Sequence, residues 1–182
     1  MKRALINVDY TYDFVADDGK LTCGLPGQAI EAKIVEITKE FINNNEYVAF
    51  GIDAHELDDP LHPETASFPE HNIVGTPGIE LYGELRTLYE ENKTNKNVFY
   101  FEKTRYSAFV GTNLELKLRE RQIEEVYLVG VCTDICILHT AIDAYNKGFK
   151  IVIPKEAVAS FDEGAHQWAL DHFKNILGAT II

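Results

Sequence analysis

A cysteine in the first turn of a helix is the strongest chemical signal in this chain. The stretch from Val126 to Gly148 reads VYLVGVCTDICILHTAIDAYNKG. Val126-Tyr127-Leu128-Val129 is a short apolar, β-branched run suited to a buried strand, and Gly130 breaks it. Ile135, Leu138, Ile142 and Tyr145 then recur at helical spacing, and Lys147-Gly148 supplies a basic last turn with a glycine stop. Cys136 therefore falls where a helix leaves a strand end. Backbone N–H groups and the positive end of the helix dipole favour a thiolate there, so the sulfur is placed to act as a nucleophile. The same position suits a small buried apolar residue, as most free cysteines are. This stretch alone leaves both readings open.

A second group of residues has the chemistry of a metal site. The run Tyr47 to Ile52 leads into Asp53-Ala54-His55, and alternate residues of an extended segment project to one side. A carboxylate and an imidazole presented together suit Zn, Mn or Fe. The long loop that follows, LDDPLHPETASFPEHNIVGTPG, adds His62, Glu64 and His71 as candidate ligands. Loops of that length in a compact domain are usually functional or disordered, and its prolines favour a shaped one. Surface histidines would look the same, but Asp53 and His55 beside them favour a metal.

The elements that would position these groups alternate along the chain. Ala4 to Val8 reads as a first strand ending on Asp9, and Tyr10 to Gly27 as loop. Ala29 to Phe41 carries Ile30, Ile34, Ile37 and Phe41 on one helical face. Ile79 to Glu91 is a second helix, and Asn97 to Phe101 a strand that runs into Glu102-Lys103. Capping boxes at Thr112/Glu115 and Ser160/Glu163 open two more helices. Phe149 to Ile153 and Gly178 to Ile182 complete six strands. Strands alternating with helices predict an α/β fold, a three-layer α/β/α sandwich around a mainly parallel six-stranded sheet. In such sheets ligands bind at the carboxyl ends of strands. Asp9, Asp53, Lys103 and the Cys132–Cys136 turn all fall at such ends. No G-x-G-x-x-G follows a strand and no P-loop motif is present, so nucleotide-binding readings lack their physical carrier.

Bulk properties bound the remaining classes. A length of 182 residues suits one domain, expected over 1–182, and a composition 46% hydrophobic and 25% charged is ordinary for a globular protein. The net charge of −12 argues against sequence-independent binding to nucleic acid or to an anionic membrane. Three cysteines, an odd number, suit a reducing cytoplasm better than a disulfide framework. The apolar run after Met1-Lys2-Arg3 is too short for a signal peptide or a membrane span, so a cytoplasmic protein is expected.

Taken in order, these residues resemble the isochorismatase-like cysteine hydrolases, and among them the nicotinamidases (pyrazinamidases), over essentially the whole chain. Three stretches carry the likeness: Val8-Asp9 with Asp13-Phe14, Asp53-Ala54-His55 with Phe68-Pro69-Glu70-His71, and Gly130-Val131-Cys132-Thr133-Asp134-Ile135-Cys136, with Lys103 between them. The resemblance implies an isochorismatase-like hydrolase fold and a catalytic triad of Asp9, Lys103 and Cys136. It implies a divalent metal, Zn ahead of Mn or Fe, on Asp53, His55 and His71, with Glu64 bound directly or through water. It places oxyanion donors at the backbone of Cys132 and Cys136, across a cis peptide at Val131–Cys132, and pocket walls at Phe14, Phe68, Tyr106 and Val131. The implied reaction is hydrolysis of nicotinamide, a small-molecule substrate, through a Cys136 thioester in NAD salvage. The number of subunits is left open.

Three rivals remain. Another amidohydrolase of the superfamily, acting on an N-carbamoyl compound, would have no aromatic nitrogen for the metal to ligate. A thiol redox protein using Cys132 and Cys136 would need C-x-x-C rather than the C-x₃-C present. A pure metal-binding module would leave Cys136 as inert core. Cys23, His62, His139, His166 and His172 are read as structural, with His139 facing neighbouring helices.

Overall fold

The computed structural model describes residues 1–182. Its centre is a sheet in which every strand pairing is parallel. The strands are β1 (Arg3–Val8), β2 (Tyr47–Asp53), β3 (Val98–Lys103), β4 (Glu125–Val131), β5 (Lys150–Ile153), β6 (Val158–Ala159) and β7 (Thr180–Ile181). They lie in the order β3-β2-β1-β4-β5-β7, with β6 beside the end of β4. The six expected strands are present, and β6 is a seventh, too short to carry a pattern of its own.

Helices cover both faces because strand residues alternate between them. Ala4, Ile6 and Val8 of β1 join a core that includes Leu114 and Leu118 of α5 (Leu114–Glu120), Ala141 and Ala144 of α6 (Leu138–Asn146), and Ala169 and Phe173 of α7 (Glu163–Asn175). Leu5, with Val48, Phe50 and Ile52 of β2, faces the opposite way. There they meet Phe14 and Val15 of α1 (Tyr12–Val15), Ile34 and Phe41 of α3 (Glu31–Asn43), and Leu85 and Leu88 of α4 (Gly83–Asn92). Each large apolar side chain so buried contributes about 1.5–3 kcal/mol. No helix is long and apolar enough to cross a membrane.

Several boundaries differ from the sequence pattern, each for a local reason. The segment expected as loop before Gly27 contains α1 and the short α2 (Leu25–Ala29), and Ile30 separates α2 from α3, which begins at Glu31 rather than Ala29. The expected helix start at Ile79 is a separate single turn, Pro77–Ile79, and α4 opens four residues later at Gly83. Neither capping box forms. The cap of α7 is Asp162, whose side chain accepts from Ala165 N–H at 2.9 Å, while Ser160 Oγ accepts from Asp162 N–H. Asn113 stands at the start of α5, and the Thr112 hydroxyl instead accepts from Leu114 N–H and donates to the Ala108 carbonyl oxygen.

Gly130 lies inside β4 instead of ending it. Its φ is +120°, it pairs with Val8 of β1, and a Cβ there would overlap the Val8 carbonyl oxygen. Strain at such a φ is worth about 1–3 kcal/mol, and forced overpacking a similar amount. Gly130→Ala is expected to lose about 3 kcal/mol or more in urea denaturation; an unchanged midpoint would refute this close approach of β1 and β4.

Candidate active site

The sheet order reverses between β1 and β4. The chain first steps outward from β1 to β2 and β3, then returns across β1 to β4. Strand ends on either side of such a reversal diverge and leave a crevice at their carboxyl edge. Asp9 follows β1 there, and Cys132 follows β4. The neighbouring strands end at the same level, since Val8 is in register with Gly51 and Gly130, and Asp53 with Lys103.

Asp9, Lys103 and Cys136 meet in this crevice, all buried. Lys103 Nζ lies 2.8 Å from Asp9 Oδ2, 3.6 Å from Asp53 Oδ1 and 3.9 Å from Cys136 Sγ, and it donates to the Arg105 carbonyl oxygen at 3.0 Å. Asp9 Oδ1 accepts from the Asp53 N–H at 2.7 Å, which ties the end of β1 to that of β2. The Asp9 carboxylate and the Cys136 thiol thus share the Lys103 ammonium between them.

Electrostatics set the resting protonation. Burial pushes the Asp9 carboxyl up, to about 6, against the pull of Lys103. Burial would lower Lys103, but Asp9, Cys136 and Asp53 hold it above the ordinary lysine range, so it stays an ammonium. Burial and then Asp9 raise the Cys136 thiol well above its usual value, and Lys103 only partly opposes them. The pair therefore rests as thiol and carboxylate. The reason is that a buried carboxylate lies beside the sulfur, and a second negative charge there is disfavoured.

Cys136 does not sit in an ordinary first α-turn. Residues Thr133–Ile137 form a π-helical turn ahead of α6. The Cys132 carbonyl oxygen accepts from the N–H groups of Ile135 and Ile137, both at 3.1 Å, and passes over that of Cys136. Such π insertions are frequent at functional sites. The peptide between Val131 and Cys132 is cis.

The second group assembles beside the first. Asp53, His55, Glu64 and His71 are all buried, with one ligand atom from each within 4.8 Å of the others. His55 Nε2 is 2.5 Å from Asp53 Oδ2, and His71 Nε2 lies 3.3 Å from Asp53 Oδ2 and 3.6 Å from Glu64 Oε2. Glu64 arrives on a single helical turn, Pro63–Ala66. His71 arrives because the loop returns alongside the end of β2, where His55 N–H donates to the Asn72 carbonyl oxygen and Val74 N–H to that of His55.

These four residues fit a divalent cation. His71 Nδ1 donates to the Pro69 carbonyl oxygen at 2.7 Å, which turns Nε2 toward the carboxylates, and that buried Nε2 has no hydrogen-bond partner of its own. Burial alone would lower the His71 imidazole, yet the Asp53 and Glu64 carboxylates raise it to about 10. Concentrated negative charge around two imidazoles is the donor set that Zn, Mn or Fe takes. His62 stays outside the set. Its ring packs edge-on against His55, its Nδ1 accepts from Glu64 N–H, and its Nε2 donates to the Thr104 carbonyl oxygen.

Between the two groups opens a small, mainly apolar cavity. Phe14, Phe68, Tyr106 and Val131 line it together with Asp53, Glu64, Cys132 and Cys136, and Leu21, Ile135 and Phe161 complete its wall. Leu21 and Phe161 were missed because they stand in segments with no motif, and Ile135 because its spacing marked it only as part of an apolar helix face. His139, expected against neighbouring helices, is exposed, and its ring packs against Tyr106 at 5.1 Å. Asp13, Thr11 and Asn72 were also missed as supports. Asp13 Oδ2 accepts from Asn72 N–H at 2.8 Å, and the Thr11 hydroxyl donates to Asn72 Oδ1 at 2.9 Å. Asn72 thus ties the His55 and His71 backbones to the segment after β1.

Comparisons with known proteins agree with this geometry. The isochorismatase domain profile matches residues 3–182. The crystal structure of the nicotinamidase/pyrazinamidase PncA from Bacillus subtilis is 63% identical and superposes with a TM-score of 0.98 over 100% of this chain and 99% of that one. The pyrazinamidase/nicotinamidase from Streptococcus mutans is 54% identical, with a TM-score of 0.98 and 100% of both chains covered. A pyrazinamidase of Pyrococcus horikoshii, solved in complex with zinc, is 28% identical with a TM-score of 0.87 over 100% of this chain and 99% of that one. By the profile and by these whole-length likenesses, the chain belongs to the isochorismatase family.

Proposed function

We propose that the protein is a nicotinamidase, hydrolysing nicotinamide to nicotinate and ammonia, and pyrazinamide likewise, as a step of NAD salvage. The observation that carries this reading is a buried Cys136–Asp9–Lys103 trio beside an aromatic pocket that Cys136 lines together with Asp53 and Glu64, two members of the Asp53, His55, Glu64 and His71 cluster. The likeness to proteins named nicotinamidase supports it.

The chemistry follows from the resting protonation. Asp9 takes the Cys136 proton as sulfur attacks the carboxamide carbon, so the thiolate exists only as it is consumed. The N–H groups of Cys132 and Cys136 donate to the developing oxyanion; loss of one such donor costs about 2.7–4 kcal/mol in the transition state. Asp9 then gives its proton to the amide nitrogen, ammonia leaves, and a thioester remains on Cys136. Asp9 next draws a proton from water as the water attacks the thioester and hands that proton to sulfur as the intermediate collapses. This restores the thiol and the carboxylate and releases the acid, whose remaining proton passes to solvent to leave nicotinate. Lys103 remains an ammonium throughout and holds Asp9 in place. Phe14, Phe68, Tyr106 and Val131 clasp the ring. A divalent cation on Asp53, His55, Glu64 and His71, with Zn favoured by the donor set over Mn or Fe, supplies when bound a Lewis-acid partner for the pyridine nitrogen that turns the carboxamide toward sulfur.

An ammonia-release assay on nicotinamide, pyrazinamide and an N-carbamoyl amide tests the reading. Turnover of the two aromatic amides is expected to exceed that of the N-carbamoyl compound by at least about a hundredfold, since a polar site rejects a ligand that leaves its groups unpartnered. The opposite preference would favour the N-carbamoyl amidohydrolase. In the same assay, prolonged chelation is expected to remove most activity and added Zn, Mn or Fe to restore it. Unchanged kinetics in a sample shown by elemental analysis to be metal-free would remove the cation from the scheme.

A further inference from the structure

The three cysteines of this chain are all free, all buried, and only one serves as nucleophile. The other two face each other. Cys23 lies between α1 and α2, held by its N–H donating to the Phe14 carbonyl oxygen at 2.8 Å, and its Sγ is 3.0 Å from that of Cys132, 109 residues away. Cys132 is no remote bystander: it lines the substrate cavity, and its carbonyl oxygen closes the π turn that carries Cys136.

We propose that Cys23 and Cys132 form a reversible oxidation site, in which a small hydroperoxide converts the two thiols into a disulfide that switches the hydrolase off. The site itself stands on the sulfur contact, and its effect on activity rests on the nicotinamidase reading above. The cavity gives a small oxidant access to Cys132. Its sulfur attacks one peroxide oxygen, the O–O bond breaks, and a sulfenic acid and water (or an alcohol) result. Cys23 sulfur then displaces the sulfenic oxygen, which leaves as water with the remaining thiol proton. Two thiols lose two electrons, the peroxide gains two, and an added thiol reverses the bond by exchange.

Closure moves the backbone that matters. A disulfide needs about 2.05 Å, so the sulfurs must approach by about 1 Å. That draws Cys132 toward Cys23 and displaces its N–H from the place of the oxyanion, where loss of a donor lowers kcat about 10²–10³-fold. The contact with Cys23 and burial both hold the Cys132 thiol well above its ordinary value, which keeps its thiolate scarce. The site therefore responds to sustained peroxide and stays reduced otherwise.

The test treats the full-length protein with hydrogen peroxide, blocks remaining thiols with iodoacetamide and maps peptides without reduction. The expected result is a Cys23–Cys132 linked peptide with Cys136 still alkylated, about a hundredfold loss of ammonia release, and recovery with dithiothreitol. Cys23→Ala is expected to keep its basal activity and lose the recoverable part of the inactivation. A Cys132–Cys136 link, three separately alkylated cysteines after inactivation, or the same recoverable loss in Cys23→Ala would each overturn the proposal. Should that variant fail to fold, the wild-type map decides alone. Because the map reads the bond directly, an enzyme inactive on nicotinamide would sink the proposed function and leave the disulfide still decided.

Discussion

Cys136→Ala is expected to abolish ammonia release from nicotinamide while the protein keeps its fold. Removing a hydrolase nucleophile lowers kcat by on the order of 10⁶, because the residual binding and oxyanion contacts have no covalent step to act on. The fold should survive because the change removes one buried sulfur beside α6. The surrounding apolar residues, Ile137 and Leu138 among them, remain in the core. A side effect is predicted as well. Without the thiol, the Asp9 carboxylate keeps Lys103 and the Asp53 N–H as partners, so no charge is stranded. Steady-state kinetics together with circular dichroism check both halves, and turnover within tenfold of wild type would remove Cys136 from the chemistry.

Asp9→Asn should be nearly as severe and should also weaken the protein. An amide cannot carry the proton from sulfur to the departing nitrogen, and general acid–base catalysis contributes about 10²–10⁴-fold. Here the same group acts in both half-reactions, so the upper end is expected for kcat. The stability effect has a separate cause. Lys103 is buried, and Asp9 at 2.8 Å is its nearest acidic partner, with Asp53 Oδ1 at 3.6 Å the other. Removing one member of a buried pair costs about 3–5 kcal/mol; the remaining contact with Asp53 places the expected loss near 3 kcal/mol. Urea denaturation and kcat read the two effects independently. A variant with normal kcat and lowered stability would make Asp9 a structural anchor for Lys103 only.

How much of this was legible in the sequence depended on how local each cause is. Ala4 to Val8, Tyr47 to Ile52 and Val126 to Val129 are nearly unbroken apolar runs, which a parallel sheet covered on both faces requires. Their order of connection then fixes where strand ends gather, so Asp9, Asp53, Lys103 and Cys136 could be placed on one rim before any coordinates. His55 and His71 were legible as types, but the return of their loop depends on Asp13 and Thr11 gripping Asn72 across the fold.

What stayed hidden was set by packing at long range. The Thr112 and Ser160 capping boxes matched a local pattern, yet neighbouring Asn113 and Asp162 took the helix starts. Gly130 read as a break because glycine usually is one; only the nearness of Val8 shows why the strand continues through it. The resting thiol of Cys136 was not legible for a related reason. The dipole of a helix end is visible in sequence, whereas the burial that opposes it is not. Cys23 carried no motif at all, and its contact with Cys132 joins segments 109 residues apart, one after β1 and one after β4.

The most direct measurement of the central claim is the intact mass of the enzyme, acid-quenched during turnover of nicotinamide. A fraction of molecules heavier by one nicotinoyl group, with the addition mapped to Cys136 and absent from Cys136→Ala, is the predicted result. Protein of unmodified mass at every time point, in a sample that goes on releasing ammonia and does so equally well in Cys136→Ala, would contradict it.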